Sequence, residues 1–287
     1  MSIVPPANII STSRGPISCV QDGAGAPVLA IHGGMGGCDQ SWILGRALFA
    51  DTARILAVAR SGYAGTPLTV GLTPQAQADA YAALLDALKI DKVLVAAISA
   101  GGPSALQFGL RHPDRCRGLI LVSAATGRLQ TPPEMITRLA AMAVTARIPG
   151  AAGYLRRKAG SDPMAAAARS LPDADAAAAL LAHPEAGPLF RLFQQGIFTD
   201  LRARIAGTRH DIALLATLMP LPLAELRVPL LDLHAVDDPV VPVAHADAVC
   251  AKAPRAECVR LAKGGHIALF TEIDTIRSHA ARFVSSL

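Results

Sequence analysis

The sequence predicts an α/β fold, a mostly parallel sheet covered by helices on both faces, and three observations carry that expectation. Short runs at residues 27–31, 54–58 and 93–98 are apolar almost throughout, as strands buried on both faces are. Stretches with helical signals separate them, the alternation that a βα repeat produces. The alternation lapses over residues 127–222 and resumes at Val228, so a long helical segment is set into an otherwise regular pattern.

In chain order, residues 17–21 alternate loosely and end at the turn signal Asp22-Gly23, which predicts an early hairpin. Residues 27–31 read as a short buried strand running into His32-Gly33-Gly34-Met35-Gly36-Gly37. A helix over 39–50, a strand over 54–58 and a glycine-punctuated loop over 60–67 follow. The helix expected over 73–89 takes Thr73 as its N-cap and Pro74 at its first position, where a missing N–H is harmless. Residues 92–98 are the central strand, 103–111 the helix after it and 117–123 another buried strand. Residues 127–222 hold alanine-rich helical stretches broken by Pro149-Gly150, Pro163, Pro172, Pro184 and Pro188, with more basic than acidic side chains. Strands are expected again over 228–234, 236–242 and 256–261, with a helix over 243–253, a loop over 262–266 and a closing helix over 267–285. The domain reading is a core of residues 1–126 and 223–287 with a helical insert of residues 127–222.

Composition narrows the function classes. With 287 residues, 52% hydrophobic and 17% charged, the chain can bury a large core, which excludes disorder. No run reaches the roughly 18 apolar residues of a membrane span, and the first 13 residues lack a basic start followed by an apolar core. The net charge is +5, but the basic residues are scattered and aromatics make up only 4%, which argues against nucleic acid as a partner. Five cysteines, widely spaced and never Cys-x-x-Cys, are expected to be free thiols in a cytoplasmic protein. His112 in Arg-His-Pro-Asp reads as a helix-end surface motif, and His183, His210, His234, His245 and His279 lack companions at metal-ligand spacing, so neither a metal nor another cofactor is expected.

The chemistry concentrates where the strands end. Ala97-Ile98-Ser99-Ala100-Gly101-Gly102 places a serine at a strand-to-helix corner, one methyl away from a Gly-x-Ser-x-Gly elbow. A serine hydroxyl is a poor nucleophile until it is exposed, approached by a base and set beside donors that stabilise an oxyanion. The glycine cluster after residue 31 can supply such donors. It does not fit a phosphate loop, because Asp39 stands where a third glycine would be needed and no Lys-Ser or Lys-Thr follows. The amides of Gly34 or Met35 and of Ala100 are the expected oxyanion pair, each worth about 3 to 4 kcal/mol in the transition state.

A serine after one strand, an acid after a later one and a histidine after the last resemble the α/β-hydrolase fold superfamily over nearly the whole chain. The matching stretches are His32-Gly33-Gly34, the serine elbow, Asp238 in Asp-Pro-Val-Val-Pro and His266 in Gly-Gly-His. The resemblance implies an α/β-hydrolase fold with an all-helical cap inserted after the sixth strand, and a catalytic triad of Ser99, Asp238 and His266. Ser99 would attack a carbonyl, His266 would carry the proton and Asp238 would hold the imidazole tautomer. Asp237 is the alternative acid, Asp232 is expected to point into the structure, and Arg60 is expected to be an ion-pair partner near the site.

A serine at the elbow disfavours the dehalogenase and epoxide hydrolase branches, which use aspartate there. The reaction expected is hydrolysis of small, fairly apolar carboxylic esters through an acyl-enzyme. Lactonases share this machinery. Carbon-carbon bond hydrolases often carry tryptophan after the histidine, where Ile267 stands, and proline iminopeptidases have proline and tryptophan where Met35 and Ala100 stand. A noncatalytic ligand receptor is the alternative from outside enzymology. The expected partner is a small-molecule ester or lactone, with no membrane involved.

Overall fold

The computed structural model describes residues 4–171 and 173–287. The expected break at Pro172 lies outside the described residues. The core elements are β1 (Asn8–Thr12), β2 (Gly15–Asp22), β3 (Pro27–Ile31), α1 (Cys38–Phe49), β4 (Arg54–Val58), α2 (Pro74–Ala87), β5 (Val93–Ile98), α3 (Gly102–Arg111) and β6 (Cys116–Val122). Six helices come next: α4 (Pro133–Thr145), α5 (Ala151–Ser161), α6 (Pro163–Ala167), α7 (Ala174–Ala182), α8 (Ala186–Gly196) and α9 (Leu201–Ala216). β7 (Leu230–Ala235), α10 (Ala244–Lys252), β8 (Ala256–Leu261), α11 (Ala268–Thr271) and α12 (Ile273–Ser285) complete the chain.

The eight strands form one sheet in the order β1-β2-β4-β3-β5-β6-β7-β8. All neighbours from β4 to β8 are parallel, and β1 and β2 are antiparallel additions at one edge. Successive strand residues face opposite sides, so the sheet supports two cores. Val28 and Ala30 pack with Trp42 and Leu44 of α1 and with Ile276 and Phe283 of α12. Leu29 and Ile31 face the other way, toward Tyr81 of α2, Phe108 of α3 and Val249 of α10. This is the α/β-hydrolase fold expected from the sequence, with helices on both faces and the helical segment following β6. No helix among the described residues is long and apolar enough to cross a membrane.

Four local expectations are corrected. The early hairpin turns at Ser13-Arg14, between β1 and β2; Asp22-Gly23 instead leads from β2 to β3, two places away in the sheet. Residues 236–242 form a loop in which Asp238 Oδ1 accepts the N–H groups of Val240 and Val241. Two prolines and this side-chain turn compete with strand pairing there. The closing helix divides at Glu272 into α11 and α12. Cys250 and Cys258 form a disulfide across the α10–β8 corner, with Cα atoms 6.2 Å apart, leaving Cys19, Cys38 and Cys116 as the free thiols. α10 folds back over β8, and that reversal, invisible in the spacing, brings the two together.

Candidate active site

β5 ends beside β3 and β6 in the middle of the sheet, so whatever follows Ile98 emerges at the central crevice. The chain turns there at Ser99, whose φ of +54° is a left-handed conformation that non-glycine residues seldom adopt. The tight approach depends on two missing side chains. A Cβ on Gly33 would stand 2.8 Å from Ser99 Cβ, and one on Gly101 would stand 2.8 Å from the His32 carbonyl oxygen.

The histidine and acid come from the loops after β8 and β7. Ser99 Oγ lies 3.0 Å from His266 Nε2, and His266 Nδ1 lies 2.8 Å from Asp238 Oδ2. A carboxylate can only accept, so Nδ1 carries the hydrogen and Nε2 is left to accept from the serine hydroxyl. Burial alone would raise the Asp238 pKa. The hydrogen bond and charge of His266 and the amides of Val241 and Val240 outweigh it and hold the carboxyl below its ordinary value. Behind it, His234 Nε2 donates to the Val241 carbonyl at 2.8 Å.

The structure separates the two candidate acids. Asp237 accepts the N–H groups of Gly265 at 2.8 Å and Gly264 at 3.3 Å, so it shapes the loop that carries His266 and does not touch the imidazole. Asp232 is fully buried on β7, as expected, and burial raises its pKa to about 7. Arg60 is a buried ion-pair partner of Asp211.

The glycine loop after β3 faces Ser99. His32 Nδ1 donates to the Gly33 carbonyl at 2.7 Å, while its Nε2 accepts the Arg60 N–H at 3.0 Å. Burial, reinforced by the Arg60 charge, lowers the His32 pKa well below its ordinary value and keeps the ring neutral. Met35, one of the two expected amide donors, has its N–H engaged by Thr208 Oγ1 at 2.8 Å. Gly34 and Ser99 both line the adjacent cavity, whereas the Met35 N–H is turned to Thr208. Ala100 opens the helical turn after Ser99, where first-turn N–H groups have no partner within the helix.

That cavity has a volume of about 100 Å³ and is lined chiefly by Ile43, Ile98, Phe193, Ile267, Leu269 and Phe270, with Gln40 as a polar exception. Phe193 belongs to α8 of the insert, so the insert supplies one wall. Sequence reasoning missed these residues. Leu269 and Phe270 follow His266 by one helical turn, a spacing that could have flagged them; nothing local marks Gln40 or Phe193. A larger cavity of about 630 Å³ opens at Gly36, Gly37 and Asp39 and includes neither Ser99 nor His266.

A family model described as the alpha/beta hydrolase fold matches residues 26–273. The chain belongs to that family. It is 38% identical over 112 residues to an uncharacterized hydrolase from Bacillus subtilis, a match covering 39% of each chain. It is 33% identical over 107 residues to the 2-hydroxymuconate semialdehyde hydrolase of a Pseudomonas species, covering 36% of this chain and 38% of that one. The chain thus spans about two fifths of the length of the curated relatives it matches. Among solved structures, an alpha/beta hydrolase fold protein from Nakamurella multipartita is 30% identical with a TM-score of 0.78, covering 97% of this chain and 98% of that chain.

Proposed function

We propose that this hydrolase cleaves small, fairly apolar carboxylic esters through a covalent acyl-enzyme, with Ser99 as nucleophile, His266 as general base and acid, and Asp238 fixing the imidazole. The observation that carries the reading is the hydrogen-bonded series Ser99–His266–Asp238 opening onto a small apolar cavity. Ser99 Oγ bonds to the acyl carbon as its proton passes to His266 Nε2, and the carbonyl oxygen takes up the electron pair. Its negative charge meets the amides of Gly34 and Ala100. Collapse of the tetrahedral adduct expels the alcohol, which takes the proton from His266. Water repeats the sequence on the acyl-enzyme and frees the acid and Ser99. The helical insert, residues 127–222, acts as a cap that closes the acyl pocket through Phe193.

Partial similarity to a 2-hydroxymuconate semialdehyde hydrolase supports carbon-carbon bond hydrolysis as the second reading. A muconate-type substrate carries carboxylate charge, and among the described residues the cavity lining contains no Lys or Arg. That favours the ester. The deciding experiment labels the protein with a fluorophosphonate and measures turnover of p-nitrophenyl acetate, butyrate and octanoate beside a Ser99→Ala control. The label is expected on Ser99, with turnover best for the shorter acyl chains. Turnover equal to that of the control, or label elsewhere, overturns the reading.

A further inference from the structure

Three consecutive peptide groups of the glycine loop are each held by a side chain, two of them buried and the third, Thr208, half-buried, and all three holds trace back to one face of α9. The Gly33 carbonyl accepts from Arg60 Nη2 at 3.1 Å, and Arg60 is itself gripped by Asp211 through both carboxylate oxygens. The Met35 N–H donates to Thr208 Oγ1 at 2.8 Å. The Met35 carbonyl accepts from Arg204 Nη1 at 2.9 Å, while Arg204 Nη2 binds Asp39 at 2.8 and 2.7 Å. Residues 204, 208 and 211 are spaced by four and three, which stacks them along one side of a helix. Arg204 and Asp211 are buried, although the helix surface they occupy would otherwise be the place for apolar packing.

The arrangement has a directional consequence. In a trans peptide the C=O and N–H point opposite ways, so pinning the Gly33 carbonyl toward Arg60 and His32 aims the Gly34 N–H away from them. Thr208 then decides the next peptide. Its hydroxyl hydrogen is committed to the Arg204 carbonyl at 2.7 Å, so Oγ1 is a fixed acceptor for Met35 and turns that N–H toward the insert. Met35 sits at φ +53°, which a non-glycine residue keeps only where its surroundings over-determine it.

We infer that Thr208 is a positioning residue for the oxyanion site: α9 of the helical insert, and not the sheet alone, sets the direction of the Gly34 amide. The inference rests on the hydrolase reading above. An amide aimed off its target loses the part of its hydrogen bond that strengthens as charge develops, so the loss falls on kcat and leaves ground-state binding nearly untouched. Thr208 contacts no substrate; it acts through Met35 and Gly34.

The test compares Thr208→Val, which keeps the shape and removes the acceptor, with Thr208→Ser, which keeps it, and with Thr208→Ala in case the valine protein does not fold. Esterase kcat and KM, the rate of fluorophosphonate labelling and the melting temperature are measured for each. For Thr208→Val, kcat and labelling are expected to fall together about 10- to 100-fold, with KM within about 3-fold and melting nearly unchanged. Thr208→Ser is expected to restore kcat to within about 3-fold of the parent. A Thr208→Val or Thr208→Ala protein with parental kcat, a change confined to KM, or a loss that tracks melting and that serine does not rescue overturns the assignment. Failure of the hydrolase reading itself is separate, because it is registered by the unsubstituted protein showing no more turnover than Ser99→Ala.

Discussion

Asp211→Ala tests how firmly the insert is tied to the core. Arg60 and Asp211 have side chains 2% and 6% exposed, and the carboxylate also accepts the Tyr63 hydroxyl at 2.5 Å. Burial works against the Arg60 charge, but Asp211 more than offsets it and raises the guanidinium pKa. Removing the carboxylate strands that charge in a buried site and leaves the Tyr63 hydroxyl short of its acceptor. Breaking one side of such a pair costs about 3 to 5 kcal/mol. At roughly 2 to 4 °C per kcal/mol for a chain of this size, melting should fall by roughly 10 °C. Calorimetry and urea titration of Asp211→Ala, Arg60→Met and the Arg60→Met/Asp211→Leu double variant supply the assay. The double variant replaces the pair with apolar side chains and should regain most of the stability, since a buried pair is often no better than a well-packed apolar substitute. Its kcat should stay low, because the Gly33 carbonyl still lacks the Arg60 donor. A single-variant loss below about 1 kcal/mol, or a double variant no more stable than either single, refutes the argument that the charge is buried and dependent on its partner.

Three further outcomes are expected. Asp238→Asn should lower kcat about 10⁴-fold by favouring the wrong imidazole tautomer, and a parental kcat at pH 7 to 8 would remove Asp238 from the mechanism. Asp232, with its pKa raised to about 7, binds a proton in the folded chain that the unfolded chain releases near pH 4. Stability should therefore fall as pH rises from about 4 to 7, by at most about 4 kcal/mol from this group, and level off above. Asp232→Asn removes the term, so its melting advantage over the parent should grow between pH 5 and pH 8; a constant difference contradicts the assignment. The Cys250–Cys258 bridge closes a loop of eight residues in sequence separation, worth about 2 to 3 kcal/mol. Unreduced, denatured protein should titrate the three thiols Cys19, Cys38 and Cys116. A count of five contradicts the pairing.

The sequence made the parallel part of the sheet legible because each buried strand is a local event. Residues 27–31, 54–58 and 256–261 coincide with β3, β4 and β8, and Thr73 caps α2 by accepting the Ala76 N–H at 3.2 Å. Errors fell where a side chain or a distant element overrides the local pattern. The apolar run at 236–242 reads as a strand until Asp238 folds back on its own amides. β1 is exposed at the sheet edge, so its residues carry no burial signal, and its partner rather than its composition makes it a strand. Pro163 and Pro188 read as breaks, yet both sit within the first turn of a helix, α6 and α8, where a missing N–H is tolerated.

The same division runs through the candidate site. Ser99, Asp238 and His266 were readable because each sits in a short motif whose backbone demands particular neighbours, and the sheet delivers the three ends to one place. The residues that hold the glycine loop were not readable. Arg204, Thr208 and Asp211 lie in a segment whose sequence offers helix propensity and scattered charge, and nothing adjacent to them distinguishes a clamp from a solvated face. Their partners lie more than 140 positions away in the chain, at Met35, Asp39 and Arg60. Only burial separates the two readings: a solvated arginine can lose its carboxylate at little cost, whereas Arg204 and Arg60, both nearly inaccessible, cannot. Enclosure thus turns these polar side chains into determinants of amide direction. A surface pair elsewhere on α9 would leave the Gly34 N–H free to follow its own torsions.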